Sequence, residues 1–101
     1  MKVLSIVIHA GAQQALADNL RLIPQINSFS FSHVEGHSDH SEADPFLSAR
    51  DKVVGYVPRV QVDILLNDEE VNHVLESLQT HKSLKGQARY WVTPVEQSGR
   101  I

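Results

Sequence analysis

KVVGYVPRVQVDILLN, Lys52–Asn67, is the stretch whose reading decides the fold. Val60, Val62, Ile64 and Leu66 alternate with Gln61, Asp63 and Leu65, so a strand over Val60–Leu66 presents one wholly aliphatic face. β-branched side chains suit a pleated, packed surface, and the period of two determines which face turns inward. Pro58 cannot donate a ladder hydrogen bond. It is expected at a bulge or where the strand leaves the sheet, with Lys52–Tyr56 as an arm beyond it.

Upstream, Lys2–His9 repeats the alternation, with Leu4, Ile6 and Ile8 on one side and Val3, Ser5 and Val7 on the other, and Gly11 ends it. Leu16, Leu20 and Ile23 then recur at i, i+4 and i+7 among polar residues, which predicts a helix over Ala12–Ile23 stopped by Pro24. Ile26–Val34 reads as a further strand, with Phe29 and Phe31 as core and serines opposite. Downstream, Asn67 is the expected N-cap of a helix. Glu70 has the capping-box spacing, and Asp68, Glu69 and Glu70 complement the positive helix end. Val71, Val74, Leu75 and Leu78 form its buried stripe, Lys82 and Lys85 suit its negative end, and Gly86 permits the turn out. Gln87–Thr93 is the last strand, closed by Pro94.

The order β-α-β-β-α-β predicts an α+β, ferredoxin-like fold: a four-stranded antiparallel sheet with two helices on one face. The other face would carry Val3, Val7, Leu65 and Trp91, too apolar for water, so sheet-to-sheet self-association is expected.

The chain's 101 residues suit one domain, 1–101, small enough for oligomerisation to help its core. With 42% hydrophobic and 21% charged residues it belongs among globular rather than disordered chains. A net charge of −3 without a basic run argues against nucleic acid as a partner. The chain lacks an apolar run of ~18 residues, so direct membrane insertion is not expected. MKVLSIVIHAG has the lysine and apolar run of a short signal peptide, but Ser5 and His9 interrupt it and its alternation suits a strand better. The absence of cysteine rules out disulfides, thiolate metal sites and a cysteine nucleophile, and leaves a cytoplasmic location as the expectation.

Glu35–Asp51 (EGHSDHSEADPFLSARD) has no usable period, and its Gly, Ser, Asp and Pro content marks a loop. Loops longer than ~12 residues in compact domains are usually functional or disordered. Three of the chain's six histidines, His33, His37 and His40, fall at or beside its start, interleaved with acids. Imidazole with carboxylate suits Zn, Ni, Co or Cu(II), which makes His33, His37, Asp39 and His40 candidate metal ligands. The same residues are equally those of a solvated acidic loop with incidental histidines, and both readings stay open. His73 and Glu76 read as a wet helix face, and His9 as an edge residue beside Gly11.

VVGYVPRVQVDILL (Val53–Leu66), the acidic helix start Asp68–Glu70 and GQARYWVTPVE (Gly86–Glu96) resemble the corresponding stretches of the PII signal-transduction proteins, at the same spacing from one another. Glu35–Asp51 falls where those proteins carry their T-loop, and the likeness covers nearly the whole chain in order. It implies a homotrimer of ferredoxin-like subunits, with ligand clefts between subunits and a mobile loop that contacts a partner. On the same ground Gly36, Arg59, Lys85, Gly86 and Arg89 are the candidate residues of an anion cleft. The stretch Lys82–Arg89 keeps Gly86 and Arg89 but not the other glycines and the aspartate of the family's phosphate loop. Backbone amides cradle phosphate only where glycine lets them approach, so ATP binding is expected to be weak or absent. The chain looks most similar to a divergent PII-like branch that accompanies heavy-metal efflux systems, which implies a membrane transporter or another regulatory target protein as partner.

Enzyme readings have little to rest on. The acylphosphatase pattern needs an arginine in the first strand–helix loop, where His9-Ala10-Gly11-Ala12-Gln13 has none, and the C-x-x-C of ferredoxin-like metallochaperones is absent there. RNA-recognition domains need aromatics and basic residues on the central strands, which Tyr56 alone does not supply. The expected function is therefore that of a non-enzymatic, trimeric, PII-like regulator whose loop senses a small ligand or divalent metal and docks on a partner. The alternative is a metal-binding or metal-buffering protein without a signalling role.

Overall fold

The computed structural model describes residues 1–37, 56–81, 84 and 86–101. Strands β1 (Lys2–His9), β2 (Ser30–Gly36), β3 (Val57–Leu66) and β4 (Arg89–Pro94) form one antiparallel sheet in the order β2-β3-β1-β4. Helix α1 (Gln13–Arg21) follows β1 through a 3-10 turn at Ala10–Ala12, and α2 (Val71–Gln79) follows β3 through a 3-10 turn at Asp68–Glu70. This is the expected ferredoxin-like α+β arrangement.

The aliphatic alternation of β1 and β3 meets in register: Leu4 faces Ile64, Ile6 faces Val62 and Ile8 faces Val60. These six pack with Leu16 and Leu20 of α1 and Val74 and Leu78 of α2 in one buried cluster, so both helices cover the same sheet face. Burying each such side chain contributes roughly 1.5–3 kcal/mol before chain entropy is subtracted. Phe29 and Phe31 pack half-buried against this core, edge to face with ring centroids 5.8 Å apart.

Element ends differ from the sequence reading for local reasons. α1 stops at Arg21 because the amides of Leu22 and Ile23 bond back to the carbonyls of Asn19 and Leu20, a tightened last turn ahead of Pro24. Ile26 donates to the carbonyl of Ile23, so this segment turns and β2 begins only at Ser30. β2 then runs on through Glu35 and Gly36, which the sequence placed in the loop. β3 starts at Val57 and holds Pro58 opposite Glu35. The pairing of β3 with β1 begins only at Arg59 and His9, so Pro58 lies past the end of β1, where no ladder N–H is needed on that side. α2 ends at Gln79, short of the lysines expected near its terminus. Lys82, Ser83, Lys85 and the stretch 38–55 lie outside the described residues.

The start of α2 is fastened as its sequence suggests. Glu70 donates its amide to the carbonyl of Asn67 at 3.0 Å. Its carboxylate in return accepts from the amide N–H and the side-chain amide of Asn67, each at 3.4 Å. Asp68 lies 2.8 Å from the Met1 ammonium and 3.8 Å from Lys2 Nζ. The ammonium hydrogen bond holds the Asp68 carboxyl below its usual range against the opposing effect of desolvation, with the charges of Lys2 and the ammonium adding to the lowering. Among the described residues, no helix is long and apolar enough to cross a membrane.

Candidate functional site

The sheet face away from the helices follows from the register. One row carries Val34, Arg59 and His9; the next carries Ser32, Gln61, Val7 and Arg89; the next Ser30, Asp63, Ser5 and Trp91; the last Leu65, Val3 and Thr93. The face is therefore basic at one end and apolar at the other. Its apolar part includes Leu65 and Trp91, 44% and 45% exposed, a large apolar surface for water to cover. Between the two ends, Asp63 Oδ1 accepts from Ser5 Oγ at 2.7 Å and from Gln61 Nε2 at 3.2 Å, so neutral donors hold this oxygen.

At the basic end Arg59 crosses from β3 over β2. A Cβ added at Gly36 would meet Arg59 Nε at 2.5 Å and Cδ at 2.6 Å, so the arginine stem lies against the glycine backbone. Gly36 has no left-handed φ; it is required here for space, not for conformation. Arg89 stands on the same face two strands away, opposite Val7 where Arg59 is opposite His9. Strand spacing and residue rise put their Cα atoms roughly 12 Å apart, a span that two long side chains and one multivalent anion can bridge. His9 lies between them in the sheet. It is 7% exposed, and its Nδ1 accepts from the Gly11 amide at 2.8 Å, so the neutral ring carries its hydrogen on Nε2.

Of the anion-cleft candidates, the structure brings Gly36 and Arg59 into contact and sets Arg89 on the same face. Gly86 sits apart, with φ of +74° in the turn before β4, on the wall of a cavity on the helix side. Lys85 lies outside the described residues. Of the metal candidates, Asp39 and His40 also lie outside them. His33 faces solvent from β2, on the side of the sheet opposite Arg59 and Gly36. His37 follows β2, with its Nε2 3.5 Å from Glu35 Oε2 and its ring 6.2 Å from that of Tyr56. Four residues of extended chain separate the Cα atoms of His33 and His37 by roughly 13 Å, too far for easy chelation of one ion by this pair. Among the described residues, no group of three His, Asp or Glu is placed to hold a metal.

Sequence reading missed His9 and the Ser5–Asp63 pair. His9 is not an edge residue but a buried cap on the turn into α1. The interruption of the apolar run by Ser5 and His9 is the signal that marks both, because a polar residue inside a strand of a small sheet needs a partner.

The whole chain, residues 1–101, matches the family model described as "Protein of unknown function (DUF3240)". The chain belongs to the DUF3240 family. A crystal structure of a DUF3240 family protein from Shewanella baltica OS155 superposes with a TM-score of 0.76 at 18% identity, covering 99% of this chain and 94% of that one. At that identity the likeness shows the fold alone, and a DUF3240 chain is accordingly a ferredoxin-like sheet under two helices. Comparison with curated proteins gives no match.

Proposed function

We propose that this DUF3240 protein is a non-enzymatic, PII-like regulatory subunit that works in the cytoplasm as a homotrimer and binds a small anionic ligand at the basic end of its open sheet face. The observation that carries the reading is the seating of Arg59 on Gly36, with Arg89 on the same face. An arginine laid on a glycine backbone is preorganised, so less side-chain entropy is lost when it engages an anion. The apolar end of that face, with Leu65 and Trp91, supports self-association that would convert a shallow surface into clefts between subunits. The segment 38–55, which joins β2 to β3 beside Gly36, would then transmit ligand occupancy to a target protein such as a membrane transporter.

Trp91 is the chain's only tryptophan, so its fluorescence reports the assembly directly. Sedimentation equilibrium should give a trimer, and Trp91→Glu should convert it to a folded monomer. Pyrophosphate titrated calorimetrically should bind the parent and bind Arg59→Ala at least tenfold more weakly. A parent protein that is monomeric at micromolar concentration and ignores pyrophosphate would overturn the reading.

A second reading, divalent-metal binding through some of His33, His37, Asp39 and His40, is favoured by the closeness of His37 to Glu35. Three chains around an axis could complete a site that one chain lacks. The double change His37→Ala with His40→Ala should weaken Zn or Ni at least tenfold, ~1.4 kcal/mol, while leaving the metal-free melting temperature nearly unchanged. Affinity should fall as pH drops through ~6.5, where free imidazole protonates. Equal affinity in parent and double mutant would leave the histidines as solvated side chains.

A further inference from the structure

A cavity of about 360 Å³ opens between the two helices and the start of β4, on the opposite side of the sheet from the arginines. Its floor is Ile6, Leu16, Leu78 and Leu84, none more than 7% exposed. Leu75 and Ala88, half-buried, form its walls. Among the described residues its polar side chains are Gln79 and Tyr90, both exposed, so hydrogen-bonding groups stand at the solvent end. The void arises because β4 enters the sheet through Gly86 and Ala88, two small residues opposite the leucines of α2. A larger residue at position 88 would close it.

We infer that this cavity is a binding site for one small, single-chain molecule with an aliphatic or aromatic body and a hydrogen-bonding head that meets Gln79 and Tyr90. Its size lies at the lower end of the ~300–1,000 Å³ range typical of small-molecule sites, and its plan of an apolar body with a few polar groups is theirs too. An apolar void gives water few hydrogen-bond partners, so an apolar body displaces that water readily. The site stands independently of the anion reading, since the two share no residue.

Decanol is the probe. Titrated into isotopically labelled protein, it should shift the amides of Leu84, Gly86 and Ala88 saturably and give ligand cross-peaks to the methyls of Leu16 and Leu75. Ala88→Phe, which fills the void, should abolish decanol binding with the native spectrum otherwise kept. Absence of saturable shifts up to the solubility of decanol overturns the site. So do ligand cross-peaks confined to residues elsewhere, or a folded Ala88→Phe protein that binds decanol like the parent. The cross-peaks are read on the parent protein, so they decide the matter even if the variant fails to fold.

Discussion

Replacing Gly36 with alanine separates binding from stability at the basic end of the sheet. The new Cβ would stand 2.5 Å from Nε, 2.6 Å from Cδ and 3.0 Å from Cγ of Arg59, so the arginine stem must move aside. Displacing a side chain from its rotamer costs about 0.5–1.5 kcal/mol. Against this, exchanging glycine for alanine within a strand recovers about 0.5–1 kcal/mol of chain entropy. The two nearly cancel, and urea unfolding should show a stability change within about 1 kcal/mol and an unchanged m-value. Binding has no such compensation. A charge-assisted hydrogen bond contributes about 1.5–3 kcal/mol, so a displaced guanidinium should weaken pyrophosphate roughly 10- to 150-fold in a calorimetric titration. Arg59→Ala should weaken it as much, and adding Gly36→Ala to that variant should cause little further loss. An unchanged pyrophosphate affinity in Gly36→Ala would refute the reasoning. So would a stability loss above about 3 kcal/mol, since the seating of Arg59 on Gly36 would then chiefly brace the sheet.

Three further outcomes test the local physics. Gly86 has φ of +74° with nothing near its Cβ position, so Gly86→Ala should cost about 1–2 kcal/mol through conformation alone, and Gly86→Asn less, in chemical denaturation; equal losses for both would point to a packing cause. Asn67→Ala removes its side chain's part in the reciprocal bonding with Glu70 and should cost about 1 kcal/mol, read as a lower urea midpoint. Asp68 has its folded pKa depressed by the Met1 ammonium, so its contribution is present above its unfolded value of ~3.9 and is lost as pH falls through the lower folded value. Asp68→Asn should therefore be less stable than the parent at neutral pH and converge with it in acid. A difference that persists unchanged at low pH would assign the effect to something other than this ion pair.

Strand and helix identity in this protein was legible residue by residue, because each depends on a short-range period. The alternation over Lys2–His9 and Val60–Leu66, the i, i+4, i+7 stripe of α1 and the Asn67/Glu70 start of α2 all appear where their side chains require them. The element order then implied the sheet order, since a sheet with two covering helices leaves few arrangements for such short connections. The sequence alone also assigned Val3, Val7 and Leu65 to one sheet face, because a strand's period is two.

Only the tertiary structure decided which distant residues share a place. Arg59 and Gly36 are far apart in the chain, and no local pattern says that the arginine stem needs the room of a missing Cβ. The interrupted apolar run marks His9 as needing a partner but not which one, because that partner is a backbone amide that exists only once the turn forms. The ends of α1 and β2 were settled by backbone bonds that close turns, which side-chain periodicity does not encode. The cavity beside Tyr90 is likewise invisible in the chain: it is a volume left where Ala88 meets the leucines of two helices, and unfilled volume is a property of packing, not of sequence.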